Sequence, residues 1–342
     1  MTWRDGVHLT GTPIWCDARR RRDVCFVSSA DRVGRTGHGQ LIASPLTLAL
    51  LGTSGGGHLG VPLHRRFTLG TVRLELISSG RGPGGAALYV DITGKAVLYA
   101  GAIRTNAAAA AGVEAAEVRA CEAVVVAAPY GRPEHAFPPL AKTIEHTIEW
   151  ASRELAAGRR PVLLVDTALD GLEVAMCLAG AGVALAGARP IREAAQRAGA
   201  LAVDAIALAS SRAARDAELR GAATGARAGE ARADNPRALQ VAVPGKEPRA
   251  IIWLARDRAS LAKVVANQPH AIAGLSAERD ADLHFPWAGA AGRDELLAWI
   301  EATNAREVYV TGACADDIAT TLGSRAKVIG PPHQMTLFEA LP

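Results

Sequence analysis

The stretch that most constrains the fold is Val24 to Gly39, which reads VCFVSSADRVGRTGHG. Its first four residues are β-branched, apolar or aromatic, the signature of a short buried strand. A polar loop, Ser28 to Arg35, follows, and GHGQLIASPLTLALLG then reads as turn, short strand and helix. Alternating runs surround it. GVHLTGTPIWCD, ending at Asp17, suggests an opening hairpin. FTLGTVRLELISSG reads as a strand pair, and ALYVDITGKAVLYAGAI as a hairpin turning at TG. Two layers of sheet flanked by helices, αββα, accommodate this order.

The second half changes rhythm. A buried strand, Ala123 to Ala128, leads through a proline-rich crossing into an amphipathic helix from about Leu140 to Ala156. RRPVLLVDTALDGLEVAMCLAGAGVALAG reads strand, loop, helix, strand, the pattern of a parallel sheet. Ser210 to Gln240 is alanine, arginine, glycine and acid, and is expected as a helix and a mobile loop. RAIIWLAR and AIAGLSA return as strands. Asp294 to Thr303 is a helix with Leu296, Trp299 and Ile300 at helical spacing, and REVYVTGACADDIATTLG is strand, turn, helix.

Composition excludes several classes. The chain has 342 residues, 49% of them hydrophobic, enough for one or two real cores. Its net charge of +4 is compatible with nucleic acid but does not require it. The five cysteines are scattered and form no CxxC pair, so neither a zinc knuckle nor a disulfide framework is indicated. No apolar run reaches the roughly 18 residues of a membrane span, and the N-terminus lacks the apolar core of a signal peptide. A cytoplasmic location is expected, at the nucleoid if DNA is bound. Leu51 to Gly60 is glycine-rich but lacks the Gly-Lys-Ser/Thr ending of a phosphate-binding loop. Arg19, Arg20, Arg21 and Arg22 form a run that is either a solvated turn or a phosphate contact at the mouth of a groove. His135 and His146 have no metal-like partner spacing and read as surface or capping residues.

The strand–loop–GHG run resembles the core of the metallo-β-lactamase fold, in its β-CASP branch. Further framework carries the likeness: the PYG…PP crossing after Ala128, the VLLVDTALDG run, FPWAGAAGRDELL and the VYVTG strand. The nearest group is that of bacterial DNA-ligase-associated exonucleases and RNA 3′-end processing factors. The resemblance implies an αββα sandwich, residues 1–133 and 269–330, with an inserted parallel-sheet β-CASP unit, 134–268, and a tail, 331–342. It also implies a two-metal site. The ligand positions of the active members fall here on Ser29, Asp31, Val33, Gly34, Arg81, Ala102, Ala127, Ala290 and Gly312, with a further aspartate position on Gly289. Asp17 matches an aspartate that orients metal-bound histidines in the family. Only Asp31 among the nine would bind a cation strongly, and Arg81 would put a permanent positive charge where a metal should sit. The expectation is a degenerate hydrolase without metal or other cofactor.

The tail carries a second resemblance. Gln334-Met335-Thr336-Leu337-Phe338, after Pro331 and Pro332, is similar to the pentapeptide with which bacterial proteins dock on the sliding clamp, the DNA polymerase III β subunit. An extended peptide of this kind buries neighbouring apolar side chains while a glutamine fixes register. The alternative is an apolar tail packed on its own domain. Two functions therefore compete. One is a catalytically inactive scaffold for DNA repair or processing that docks on the clamp, with DNA, RNA, an active paralogue or a repair protein as further partners. Nucleic acid would be met by Arg19 to Arg22 and Arg81. The other is a metal-dependent DNA or RNA exonuclease with a reduced site built from Asp17, Asp31 and His38.

Overall fold

The computed structural model describes residues 1–32, 37–53, 56–199, 241–242, 249–265, 270–275 and 283–331. Three sheets organise them. The first runs in spatial order β1 (Thr2–Trp3), β2 (Val7–His8), β3 (Ile14–Cys16), β4 (Val24–Phe26), β5 (Gln40–Ala43) and β6 (Leu59–Gly60). The opening hairpin is β2 against β3, antiparallel, and from β3 onward the strands are parallel. Helix α1 (Pro45–Leu51) follows β5; the Ser44 hydroxyl caps it and Pro45 opens its first turn.

The second sheet begins with an antiparallel meander, β7 (Arg66–Leu69), β8 (Val72–Ser78), β9 (Ala86–Ile92) and β10 (Lys95–Gly101). It continues in parallel through β11 (Ala123–Ala127) and, much later in the chain, β17 (Glu307–Thr311) and β18 (Ala326–Val328). Phe26, Ile42, Leu74, Leu76, Leu88 and Val125 pack between the two sheets. Leu48 of α1 covers the outer face of the first sheet. Helices α6 (Arg293–Ala302) and α7 (Ala315–Leu322) cover the second through Leu296, Trp299, Ile300 and Ile318. The layers are thus helix, sheet, sheet, helix, each element burying one face as its sequence period requires.

A separate five-stranded sheet is built after helix α2 (Leu140–Ala156). Its order is β14 (Val241–Ala242), β13 (Leu185–Gly187), β15 (Ala250–Leu254), β12 (Arg160–Val165) and β16 (His270–Gly274), all parallel. Helices α2, α3 (Ala168–Gly180) and α4 (Arg189–Gly199) cover one face, and Leu261 of α5 (Arg258–Val265) the other. The continuous apolar runs of β12 and β15 follow from burial on both faces. One correction concerns the boundary expected at residue 268: β16 completes this sheet at 270–274. Phe285 and Trp287 still pack in its core, so the chain rejoins the sandwich only at Ala290 and Ala291, just before α6. The helix and loop expected for Ser210 to Gln240 lie outside the described residues.

Candidate functional site

Because β10, β11 and β17 are parallel, their carboxyl ends emerge at one edge of the second sheet. Ala102, Ala127 and Gly312 are thereby neighbours at that edge, although far apart in sequence. Ala290 arrives from the segment before α6. Ala102, Ala127 and Ala290 are buried and form one small apolar cluster, with Tyr130 packed on it. Gly312 is held at φ 104°, and a Cβ there would stand 2.9 Å from the carbonyl oxygen of Ala128. No side chain fits at that position without moving the backbone.

The loop after β4 supplies the polar members. Ser29 is fully buried and its hydroxyl donates to the Asp31 carboxylate. Asp17, at φ 46°, ends the strand beside β4. Its carboxylate accepts hydrogen bonds from the Ser28 amide (2.8 Å), the Ser28 hydroxyl (2.6 Å) and the Tyr99 hydroxyl (2.9 Å). Burial pushes the Asp17 carboxyl above its ordinary value, and the Arg32 charge and these hydrogen bonds offset only part of that. Burial, reinforced by Asp17, likewise raises the Tyr99 phenol. A cavity of about 480 Å³ opens between the ends of the two sheets, with Asp17, Arg32, Tyr99, Ala127, Thr311 and Gly312 in its wall.

Arg81 sits in the loop between β8 and β9. Its Nη2 donates to Asp31 at 2.7 Å and its Nη1 to Asp170 at 3.0 Å. The guanidinium is 11% exposed, and the two carboxylates are 15% and 23% exposed. Burial alone would raise the Asp31 carboxyl, but Arg81, the Ser29 hydroxyl and Arg32 overcome it and hold the group below its ordinary value. Burial alone would lower the Arg81 pKa, but Asp170 and Asp31 outweigh it and hold the guanidinium firmly protonated. Gly289 packs flat on Arg81, since a Cβ there would lie 2.9 Å from Nη1.

Val33 and Gly34 lie outside the described residues, as do Gln334, Met335, Thr336, Leu337 and Phe338. The arginine run is dispersed. Arg20 pairs with Asp5 at 2.9 Å. Arg22 stacks over Trp15 at 3.7 Å and donates to the Arg4 carbonyl. Arg19 lines the 480 Å³ cavity, and Arg21 is exposed. Arg81, also considered for nucleic acid, is committed to two carboxylates. His135 caps its own turn, accepting from the Gly131 and Arg132 amides at Nδ1.

The described residues do not fit a metal cluster. Among the described residues no group of three or more His, Cys, Asp or Glu side chains is placed to hold a cation. Asp17 is saturated by hydroxyls and an amide, Asp31 by a guanidinium, and Nδ1 of buried His38 accepts from the Arg22 amide. Three contributors were not singled out from sequence: Asp170, Arg104 and Glu173. Asp170 carries a readable signal, since Thr167-x-x-Asp170 is a capping box. Arg104 and Glu173 meet at 2.6 Å and are buried to 2% and 1% exposure, a pairing without a local sequence mark.

No family model matches the chain, and no protein of curated function does. Among solved structures the chain is similar to one described as a protein of unknown function from Enterococcus faecalis V583. The two share 10% identity with a TM-score of 0.54, over 90% of this chain and 79% of that one. At that identity the likeness extends to the α/β fold alone.

Proposed function

We propose that this chain is a hydrolytically silent member of the metallo-β-lactamase fold, β-CASP branch, that works as a scaffold rather than a nuclease. The observation that carries this reading is the cluster of Ala102, Ala127 and Ala290 beside Gly312, with Arg81 bound to Asp31. Ala102, Ala127, Ala290 and Gly312 come from separate motifs of the resemblance and meet at one strand edge, with Arg81 reaching Gly289 beside Ala290, an arrangement that fits a degenerate metal site. Methyl groups and a guanidinium there supply neither a Lewis acid nor an activated water. The C-terminal Gln334–Phe338 segment supplies the partner: a sliding clamp that would recruit the scaffold to DNA under repair or processing.

Elemental analysis of the purified protein should find no stoichiometric zinc or manganese, and DNA and RNA should remain uncut. About two metals per chain, or a nuclease activity lost in Asp31→Ala, would overturn the reading. Calorimetric titration of clamp into the protein tests the partner separately.

A further inference from the structure

Two arginines of the sandwich reach one turn of α3. Arg81 meets Asp170, and Arg104, just beyond β10, meets Glu173. Asp170 and Glu173 are three residues apart and so share a face of the helix. On its other side Arg81 holds Asp31, so its planar fork spans both lobes at once. The backbone is shaped to present these groups. Gly80 takes φ 71°, and a Cβ there would stand 2.0 Å from the Arg104 carbonyl oxygen, so the loop carrying Arg81 lies directly on the segment carrying Arg104. The Arg104 amide donates to Ser79 at 2.9 Å, tying the two segments together. The hydroxyls of Ser44 and Thr47 donate to the Gly84 carbonyl at 2.6 and 2.8 Å and fix the far end of that loop.

We propose that Arg81 and Arg104 form a latch that fixes α3 of the parallel-sheet lobe to the sandwich. The latch is a permanent feature of the chain, because its cations are side chains and need no ion from solution. Both arginine pairs are largely withdrawn from water, where a charge pair is weakly screened and the loss of one member is severe. This inference goes beyond the scaffold reading and does not depend on the clamp.

Amide hydrogen exchange of the full chain tests it. Arg81→Met keeps the length of the side chain and removes the fork. Exchange should rise at least about tenfold both in residues 28–32 and in the first two turns of α3, while the β9–β10 hairpin keeps its wild-type rates. Arg81→Lys should fall between, since one ammonium cannot bridge two carboxylates in the same way. Gly289→Ala displaces the guanidinium without changing any charge, and should loosen the same two segments even if Arg81→Met does not fold. A rise confined to residues 28–32 in Arg81→Met would overturn the latch. So would α3 exchange within twofold of wild type in Gly289→Ala. An equal loosening of every element would overturn it too, because it would mark Arg81 as a general stabiliser and not a link between lobes.

Discussion

Single residues decide what the strand edge can do. Gly312 combines a left-handed φ with a Cβ position 2.9 Å from the Ala128 carbonyl. Gly312→Ala should therefore cost roughly 1–3 kcal/mol, read as a lower denaturant midpoint at unchanged slope. Asp31 gives a pH signature. Its folded carboxyl lies below the ordinary value of 3.8, because Arg81, Ser29 and Arg32 outweigh the burial that would raise it. A group depressed on folding contributes fully above its unfolded value, and that contribution is lost as pH falls through the folded one. Asp31→Asn should accordingly flatten the acid limb of the stability curve below about pH 4. An acid limb as steep as that of wild type would contradict the Arg81 pairing. Asp17 has the opposite sign: its raised carboxyl lowers stability as pH climbs through the window between unfolded and folded values.

At the scale of elements, α3 is the informative case. Its capping box joins the Thr167 hydroxyl to the Asp170 amide, and the Asp170 carboxylate to the Thr167 amide. Asp170 thus caps its own helix with one oxygen and takes Arg81 with the other. Thr167→Ala should cost about 0.5–2 kcal/mol in thermal or denaturant unfolding, and α3 should be the first helix to exchange. Elements of this kind were legible because their causes are local. The helical spacing of α2 gives Leu140 to Ala156 directly, and alternation gives β7 to β10 with their turns. What was not legible is the pairing of Arg81 with Asp170 and of Arg104 with Glu173. Each depends on how two sheets meet, and no spacing along the chain records that. The boundary near 268 has no local mark for the same reason, since β16 belongs with β12 only through a tertiary register.

The whole molecule adds a C-terminal tail to the α/β body. The tail after Pro331 carries the pentapeptide outside the described residues. Replacing Leu337 and Phe338 with alanine should weaken clamp binding by about a hundredfold or more, since each buried anchor is worth roughly 1.5–3 kcal/mol. The melting temperature should not move; a drop would mean that the tail packs on its own domain. Among the described residues no helix is long and apolar enough to cross a membrane. The alanine cluster at the strand edge has a last consequence, and it concerns history. A carboxylate introduced alone at 102 would be buried against the methyl groups of Ala127 and Ala290, at a cost of several kcal/mol, on the order of 3–5. A side chain at 312 meets backbone, and one at 289 meets Arg81. Each single step toward a metal cage is therefore penalised before the cage exists. The arrangement works as a ratchet, because the packing already present opposes each single substitution toward a cage.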